Sequence, residues 1–442
     1  MILVSEIAEK IRKVLTYQNG LLLLLLINIL LLSTAIFSWN YYDVRYFLEW
    51  ADVVRDHGIL FVYKYARKVA YPPIAVLTFV LPHLLATSIT TSLPIIRLID
   101  KLPLIIAFNL IFIFLRNKHG LKTAYYWLAN AVPYLVILVY QFDLLPALFI
   151  LLAAYELAKP SRNPVKVAVY LALAILYKQI LIFLALIPLI IYYKEKRFTD
   201  LKKYVVTGIA VASIVILPFF VVDPYAFIYK VLIYHSQRYP QELSLWAIPL
   251  YLYNYDYTRL PSWITVTWLP IYVVALVFYF VKIIKIDRFD ESIIYKYFVI
   301  YILMTLIVNK VNNLGYLTWA LPLLAIIINS KNSMLDGSRF LYIAISWIEG
   351  ILYPFVTLFA AAVVYGSVLI IEDLSYYSAL WAIERSIDRT TFVFSFIDYM
   401  RVYFYNFFEA LYRGMGISAT IFTLLYNWYL AYTLYKIYKY YP

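Results

Sequence analysis

The chain has 442 residues, of which 64% are hydrophobic and only 14% are charged. This composition excludes a soluble globular protein. The formal net charge of +13 would suggest nucleic acid as the partner of a soluble protein. In a membrane protein it is expected from basic cytoplasmic loops and anionic lipid head groups, so we predict membrane lipids and no nucleic acid as partners. The sequence has no cysteine, which excludes disulfides, thiolate metal sites and a cysteine nucleophile.

Apolar stretches bounded by charged residues follow one another along nearly the whole chain. They predict an all-α, polytopic integral membrane protein with about 11–14 transmembrane helices, since each span needs about 20 apolar residues. The first stretch follows basic residues but precedes no small-residue cleavage site, so we expect an uncleaved first helix. Lys178 and Glu349 interrupt two stretches, each of which could be one helix or two. The predicted spans are 20–39, 72–90, 98–115, 122–140, 143–158, 166–193, 204–222, 261–281, 294–309, 314–330, 339–371 and 415–436.

Clusters of Lys and Arg should mark the cytoplasmic side and predict a cytoplasmic N-terminus. Arg116 obeys this rule only if an extra short or re-entrant segment lies within 72–97 near Pro82, and we expect such a segment. Helices that lie in the membrane interface are expected in the first external segment and near the C-terminus. The segments assigned to the external face are 40–71, 140–143, 177–179, 223–260, 309–313 and about 372–413.

The first external segment begins with an aspartate on an amphipathic pattern. Asp43, Tyr46, Phe47 and Trp50 share one face of a helix at i, i+3, i+4 and i+7. The pattern predicts a helix along the membrane surface with its aromatic stripe facing inward. On spacing alone, two interpretations of Asp43 stay open: it caps this helix, or it performs chemistry.

The chain then resembles the GT-C superfamily of membrane glycosyltransferases, including enzymes that use dolichyl-phosphate glucose or mannose and bacterial polyprenyl-phosphate-sugar transferases. The resemblance begins with an Asp soon after the first transmembrane helix, a Trp seven positions later, then a Gly, a Tyr and Tyr71-Pro72-Pro73 at the re-entry to the membrane. It continues in order through IDKLPLIIAFNL, ANAVPYLVILVYQFDLLPALFILLA, LYKQILIFLALIP and NKVNNLGYLTWALPLL. It implies a catalytic transmembrane module, 1–330, followed by a variable transmembrane part, 331–442.

The sequence departs from the pattern of that superfamily at several positions, which leaves the subfamily and the sugar open. Phe108, next to Asn109, stands in place of an Asp; Val132-Pro133 replaces Asn-Pro; Tyr140 replaces a Gly before Gln141; and Lys178-Gln179-Ile180 replaces Lys-Pro-Gln.

The resemblance implies that Asp43 is a general base, which takes the proton of an acceptor hydroxyl as that hydroxyl attacks the anomeric carbon. The donor would be a dolichyl- or polyprenyl-phosphate sugar, with mannose or glucose as the expected hexose, and the acceptor a glycan or a lipid. A lipid phosphate leaves without protonation if cations neutralise its charge, so neither a cofactor nor a metal is required. We expect a monomer in the cell membrane, with its active site on the external face and inversion at the anomeric carbon.

Four cationic or titratable residues are candidate ligands for the lipid phosphate. Lys178 and Lys310 lie at predicted external ends of apolar runs, where charge is costly and indicates function. His235 and Arg238 lie in the loop YHSQRYPQELSLW, and an Arg fork suits phosphate oxygens. The alternatives are snorkelling lysines and a solvated loop.

Four further residues are candidates for binding the sugar or the acceptor: Asp143, Gln141, Tyr71 and Trp50. Asp143 could equally cap the next helix. The histidines at 57, 83 and 119 lack metal-ligand spacing and are interpreted as structural or surface residues.

The main alternative function is a flippase or transporter of lipid-linked sugars or polysaccharides. Such a protein would be expected to have internal repeats and discontinuous helices near the midplane, and we find no repeat in the sequence. A non-catalytic scaffold would have little reason to keep Lys178 and Lys310 at such positions.

Overall fold

The computed structural model describes residues 20–36, 41–253, 255–330, 336–356 and 392–441. In these ranges the chain is helical almost throughout, as predicted. The longer α-helices are α1 Gly20–Ala35, α2 Tyr41–His57, α3 Pro73–Ile89, α4 Leu93–His119, α5 Leu121–Leu128, α6 Val132–Leu138, α7 Leu144–Ala158, α8 Pro164–Tyr177, α9 Leu186–Lys194, α10 Phe198–Val222, α11 Trp268–Ile284, α12 Glu291–Val308, α13 Leu321–Ile328, α14 Asp336–Trp347, α15 Phe392–Arg413 and α16 Met415–Tyr440.

Shorter elements connect these helices. The four- and five-residue α-helical turns are Val62–Tyr65, Pro224–Ile228, Tyr234–Gln237 and Ile248–Leu252. The 3₁₀ segments are Ile59–Phe61, Gln179–Ala185, Leu245–Ala247, Tyr257–Arg259, Ser262–Thr265 and Leu314–Trp319, and the π-helical turns are Tyr229–Ile233 and Ile348–Leu352. The strands are β1 Gln241–Glu242 and β2 Val311–Asn312.

Long apolar helices make the protein membrane-embedded. Those in the described ranges that are long and apolar enough to cross a membrane are Leu93–His119, Phe198–Val222, Ser262–Ile284 and Glu291–Val308. On α10, Ile209, Ile214 and Val221 are 62%, 75% and 73% exposed. Because a continuous apolar surface of this kind is not stable in water, lipid must cover it. Other apolar helices are shorter: Gly20–Ala35, Pro73–Ile89, Leu144–Ala158, Pro164–Tyr177 and Gln179–Lys194.

Three predicted segments differ from the structure. The predicted span 314–330 is the 3₁₀ segment Leu314–Trp319 followed by the short helix α13. The predicted span 122–140 is two short helices, α5 and α6. Pro133 lies in the first turn of α6, and the Asn130 side chain forms hydrogen bonds at the break between the two helices. The Asn130 side chain accepts from Val132 N–H at 3.1 Å and donates to Tyr342 C=O at 3.3 Å. The extra segment expected within 72–97 is absent, since α3 continues through Pro82 as one helix. A proline removes one backbone donor, and packing in a membrane protein tolerates that loss.

The two ambiguous stretches are both interrupted. Lys178 ends α8 and the chain continues as 3₁₀ helix, so the predicted span 166–193 consists of separate pieces. In the stretch 339–371, α14 passes into a π-helical turn at Ile348, and residues beyond 356 lie outside the described ranges. Glu349 in this turn is fully buried, and neither carboxylate oxygen has a hydrogen-bond partner among the described residues. The predicted interfacial segment 372–413 is described from residue 392 onward, as α15.

The amphipathic helix α2 packs its aromatic stripe against α3. Phe47 and Trp50 are 4% and 1% exposed, and the Phe47 ring stacks on Phe79 with centroids 3.6 Å apart. A parallel pairing of β1 with β2 sets Gln241 opposite Val311. This pairing brings the loop after α10 beside the loop after α12, and both loops border the candidate site.

Candidate functional site

Asp43 lies inside the first turn of α2, which begins at Tyr41, rather than ahead of it at the cap position. Its Oδ2 accepts a hydrogen bond of 2.7 Å from the Gln141 side-chain amide. These residues are far apart in the sequence, so the bond joins α2 to the turn that follows α6. The side chains of Asp43 and Gln141 are both partly buried.

The turn between α6 and α7 carries two of the predicted residues. Tyr140 has φ 57°, a left-handed conformation that costs energy for a residue with a Cβ and is typical of functional sites. It directs Gln141 toward α2. Asp143 precedes α7, but its side chain makes no cap hydrogen bond. Asp143 Oδ1 instead accepts 2.9 Å from the Trp319 indole N–H.

Lys178 lies at the junction of α8 and the 3₁₀ segment and is 4% exposed. Its Nζ is 3.9 Å from Asp143 Oδ1. Burial lowers the pKa of Lys178 to about 8, with Asp143 acting against this shift. Four aromatic rings lie around the Lys178 ammonium, and their faces attract a positive charge. The distances from Lys178 Nζ to the ring centroids are 4.7 Å for Tyr71, 4.5 Å for Phe142, 4.3 Å for Tyr316 and 5.9 Å for Trp319.

The loop after α10 and the end of α12 supply the other predicted cations. The His235 ring nitrogen Nε2 bonds the Ala70 carbonyl, and the Arg238 guanidinium donates to Gln241. Lys310 Nζ donates to the carbonyls of Ser236 and Thr265, both at 2.7 Å. Burial lowers the pKa of His235 to about 4 and that of Lys310 to about 8. His235 is therefore neutral at pH 7, whereas most of Lys310 is charged.

A polar cavity of about 380 Å³ opens beside Asp43. Aromatic rings and a few charged groups line it, and such a surface suits a carbohydrate better than a lipid chain. Trp50 Nε1 is buried at its edge without a hydrogen-bond partner among the described residues. The lining residues are Asp43, Tyr46, Phe47, Trp50, Lys68, Ala70, Tyr71, Tyr229, Tyr234, Gln237, Arg238, Tyr239, Gln241 and Tyr257.

A second cavity of about 400 Å³ is mainly apolar. Tyr71 lines both cavities, so its side chain forms a common wall. Lys178, His235 and Lys310 lie among the apolar residues of the second cavity. The other lining residues are Gln179, Ile180, Ile182, Phe183, Leu232, Ser236, Trp268, Leu269, Tyr272, Val273, Leu276, Asn309, Val311 and Tyr316.

The electrostatic environment favours a proton acceptor at Asp43. Burial raises the pKa of Asp43 above its ordinary value, while Arg238, Lys178, Arg45 and the hydrogen bond from Gln141 act in the opposite direction. A carboxylate with a raised pKa is a better base than one in water, and the nearby cations favour its ionised form.

Glu242 is a residue of this site that the sequence did not single out. It has φ 51°, and its carboxylate accepts 3.1 Å from Leu314 N–H. Burial raises the pKa of Glu242 to about 7, the Leu314 hydrogen bond lowers it, and Asp43 raises it further. Its proximity to Arg238 in the loop was the available signal, but the β1–β2 pairing that holds it is not visible in the sequence.

The predicted residues thus fall into two groups. Around the polar cavity are Asp43, Trp50, Tyr71 and Arg238, with Gln141 bonded to Asp43; around the apolar cavity are Tyr71, Lys178, His235 and Lys310. Asp143 lines neither cavity and lies behind Lys178. In the described ranges, no three His, Asp or Glu side chains are grouped as metal ligands.

Comparison with known proteins gives similarity to solved structures alone. No family model matches the chain, and no curated protein matches it. The chain is similar to a crystal structure of ArnT from Cupriavidus metallidurans in the apo state, with 15% identity and a TM-score of 0.47 over 95% of this chain and 77% of that one. A structure of ArnT from the same organism bound to undecaprenyl phosphate gives 15% identity and a TM-score of 0.46 over the same shares.

Proposed function

We propose that the protein transfers a hexose, mannose or glucose, from a dolichyl- or polyprenyl-phosphate sugar to a hydroxyl of a glycan or lipid acceptor. The observation that carries the proposal is the pair of cavities that share Tyr71. One is apolar and contains cations, and the other is polar and contains a carboxylate. A lipid-phosphate sugar has the matching groups in the same order along its length: an apolar lipid, a charged phosphate and a polar sugar.

The apolar cavity suits the lipid part of such a donor. Ile182 and Val273, which line it, are 53% and 50% exposed, so a lipid chain has access from the membrane-facing side. Lys310 uses two of its three ammonium N–H groups on carbonyls of described residues, and the third is available to a phosphate oxygen. Lys178 contributes a second positive charge near pH 7. These charges would stabilise the phosphate as it leaves.

The polar cavity suits the acceptor and the reacting bond. The acceptor oxygen attacks the anomeric carbon and gives its proton to Asp43, while the bond from that carbon to the phosphate oxygen breaks. Its electron pair leaves with the lipid phosphate, which gains one negative charge. The partnerless N–H of Trp50 would donate to a sugar or acceptor hydroxyl, and Arg238 would balance the phosphate charge from the other side of Tyr71.

The remaining parts of the proposal follow from the resemblance and the charge pattern of the sequence. We propose that the cavities open to the external face of the cell membrane, that the N-terminus is cytoplasmic and that the protein acts as a monomer without a metal ion. Attack by the acceptor on the face opposite the phosphate inverts the anomeric carbon, which product NMR would reveal.

The test is radiolabelled sugar transfer from dolichyl- and polyprenyl-phosphate donors into a membrane-lipid extract, using the purified wild type and Asp43→Asn. The substitution keeps the side-chain volume but removes the base. Loss of general-base catalysis lowers the rate by about 10²–10⁴-fold, while binding of the lipid donor is retained. Asp56→Asn is the matched control, because Asp56 lies on the same helix with an exposed side chain, and it should transfer sugar at the wild-type rate.

Equal transfer by wild type and Asp43→Asn would remove the base role from Asp43. The alternative function, a flippase for lipid-linked sugars, draws support from the discontinuous helices at Lys178 and between α5 and α6. A flippase would move a fluorescent lipid-phosphate sugar across proteoliposomes without forming a glycosidic product. Movement with no product would favour the flippase, and product formation that depends on Asp43 would favour the transferase.

A further inference from the structure

A fully buried lysine on α4 hydrogen-bonds the last carbonyls of two other helices, α1 and α6. Lys101 is 0% exposed and lines neither cavity. Its ammonium donates to the carbonyl of Ala35 at 3.2 Å and to that of Leu138 at 3.1 Å. Ala35 is the last residue of α1 and Leu138 the last of α6. The final carbonyls of a helix lack intrahelical partners and carry the negative end of its dipole, so a cation is well placed there.

Each of these helices precedes, in the sequence, one partner of the same hydrogen bond. The segment after Ala35 enters α2, whose first turn carries Asp43. The residues after Leu138 form the turn that carries Gln141, where the Gln141 backbone N–H bonds Val136 C=O at 2.9 Å. Lys101 therefore fixes the starting points of both segments that meet in the Gln141–Asp43 bond.

Two charged neighbours on α4, Arg97 and Asp100, act on the Lys101 ammonium in opposite directions. Asp100, its neighbour on α4, bonds His83 of α3 through Oδ2, with 3.1 Å between the two atoms. Removing the ammonium would take this donor from the buried carbonyl of Ala35 and from the partly buried carbonyl of Leu138, and leaving such groups unpaired is costly.

We propose that Lys101 is a positioning residue for sugar transfer: by tying the ends of α1 and α6 together, it holds Gln141 in reach of Asp43. The inference rests on the proposed function, because it assigns Lys101 a part in the same reaction. Lys101 acts through Gln141, so its loss should reproduce the effects of losing the Gln141 amide.

The first experiment compares Lys101→Met, Lys101→Arg and the control Lys118→Met, which lies on the same helix with an exposed side chain. A small displacement of a catalytic group costs up to about 100-fold in rate, so we expect a 10- to 100-fold lower kcat in Lys101→Met with an unchanged donor KM. Lys101→Arg keeps the cation and should recover most of the rate. Lys118→Met should equal the wild type.

A pH profile separates positioning from a general loss of structure. The Gln141 hydrogen bond lowers the pKa of Asp43, as do Arg238, Lys178 and Arg45. If Lys101→Met loosens only the hydrogen bond, the acid limb of kcat moves to higher pH, by the same amount as in Gln141→Leu. An acid limb that stays in place would overturn the proposal.

The double variant Lys101→Met/Gln141→Leu gives the decisive comparison. If Lys101 acts through Gln141, the double variant is no slower than Gln141→Leu alone. Losses that multiply would show that Lys101 acts by another route and would overturn the proposal. Should Lys101→Met fail to fold, Lys101→Gln, which keeps an N–H donor without the charge, enters the same cycle.

Hydrogen exchange of the purified protein tests whether Lys101 holds the ends of α1 and α6 in place, and it requires no sugar transfer. Lys101→Met should exchange the amides of residues 139–142 at least tenfold faster than wild type, and Lys118→Met should not. Wild type that transfers no sugar would refute the proposed function but leave this prediction standing. Unchanged exchange in Lys101→Met would refute the role of Lys101 even in an active transferase.

Discussion

Replacing Gln141 with leucine should shift the pH dependence of transfer in a known direction. The substitution removes the 2.7 Å hydrogen bond to Asp43 and puts an apolar side chain of similar size in the place of the amide. A hydrogen bond to a charged group contributes about 1.5–3 kcal/mol. Because this bond stabilises the ionised carboxylate, its loss should raise the pKa of Asp43.

The sign of the effect on rate follows from the role of the base. Asp43 accepts a proton only when ionised, so kcat rises as the pH increases through its pKa. In Gln141→Leu this rise should therefore occur at a higher pH than in wild type. At a pH well above the new pKa, much of the difference in rate should disappear, apart from the cost of a less well oriented carboxylate.

The assay is the initial rate of radiolabelled sugar transfer at saturating donor between pH 4.5 and pH 9. Asn109→Leu is the control, since it removes the two reciprocal amide hydrogen bonds with Asn28, of 2.8 and 2.7 Å, between α4 and α1. It should leave the acid limb where it is. An unshifted limb in Gln141→Leu, or a shift to lower pH, would refute the argument that Gln141 supports the ionised form of Asp43.

Two further variants test the apolar cavity and its cation. Burial lowers the pKa of Lys178 to about 8, so its positive charge is lost as the pH rises through 8. The donor KM should then increase by about tenfold. Lys178→Arg should reduce this increase in KM, and an unchanged increase in that variant would contradict the phosphate role. Val273→Trp should fill part of the apolar cavity and raise the KM of a long-chain donor by about tenfold. Val274→Trp should not, because Val274 is the next residue on α11 but does not line the cavity. Equal effects of the two substitutions on KM would contradict a lipid site in this cavity.

Local periodicity made the face of α2 predictable from the sequence. The spacing of Asp43, Phe47 and Trp50 follows the helical repeat, and the structure buries both aromatic residues. The apolar runs likewise predicted helices, because hydropathy depends on composition and not on partners. The interruption at Lys178 was detectable for the same reason, since a charge within an apolar run is costly.

Features that depend on distant partners could not be predicted from the sequence. The break between α5 and α6 depends on Asn130 bonding a carbonyl of α14, and Glu242 is held by a strand pair of two residues each. The bonds of Lys101 join three helices, so no window of the sequence contains both the donor and its acceptors. Pro82 misled the topology because a proline inside a helix is tolerated when neighbouring helices pack around it.

Tyr71 shows why the structural and the functional interpretation of a motif need not compete. Pro72 and Pro73 fix the start of α3, and Tyr63 donates 2.6 Å to the Tyr71 carbonyl, so the backbone before α3 is held from both sides. The same constraint holds the Tyr71 ring between Trp50 and Phe142, with centroid distances of 6.2 and 4.9 Å. This ring separates the apolar from the polar cavity. A rigid re-entry into the membrane is therefore also what fixes the boundary at which a lipid phosphate would meet its sugar.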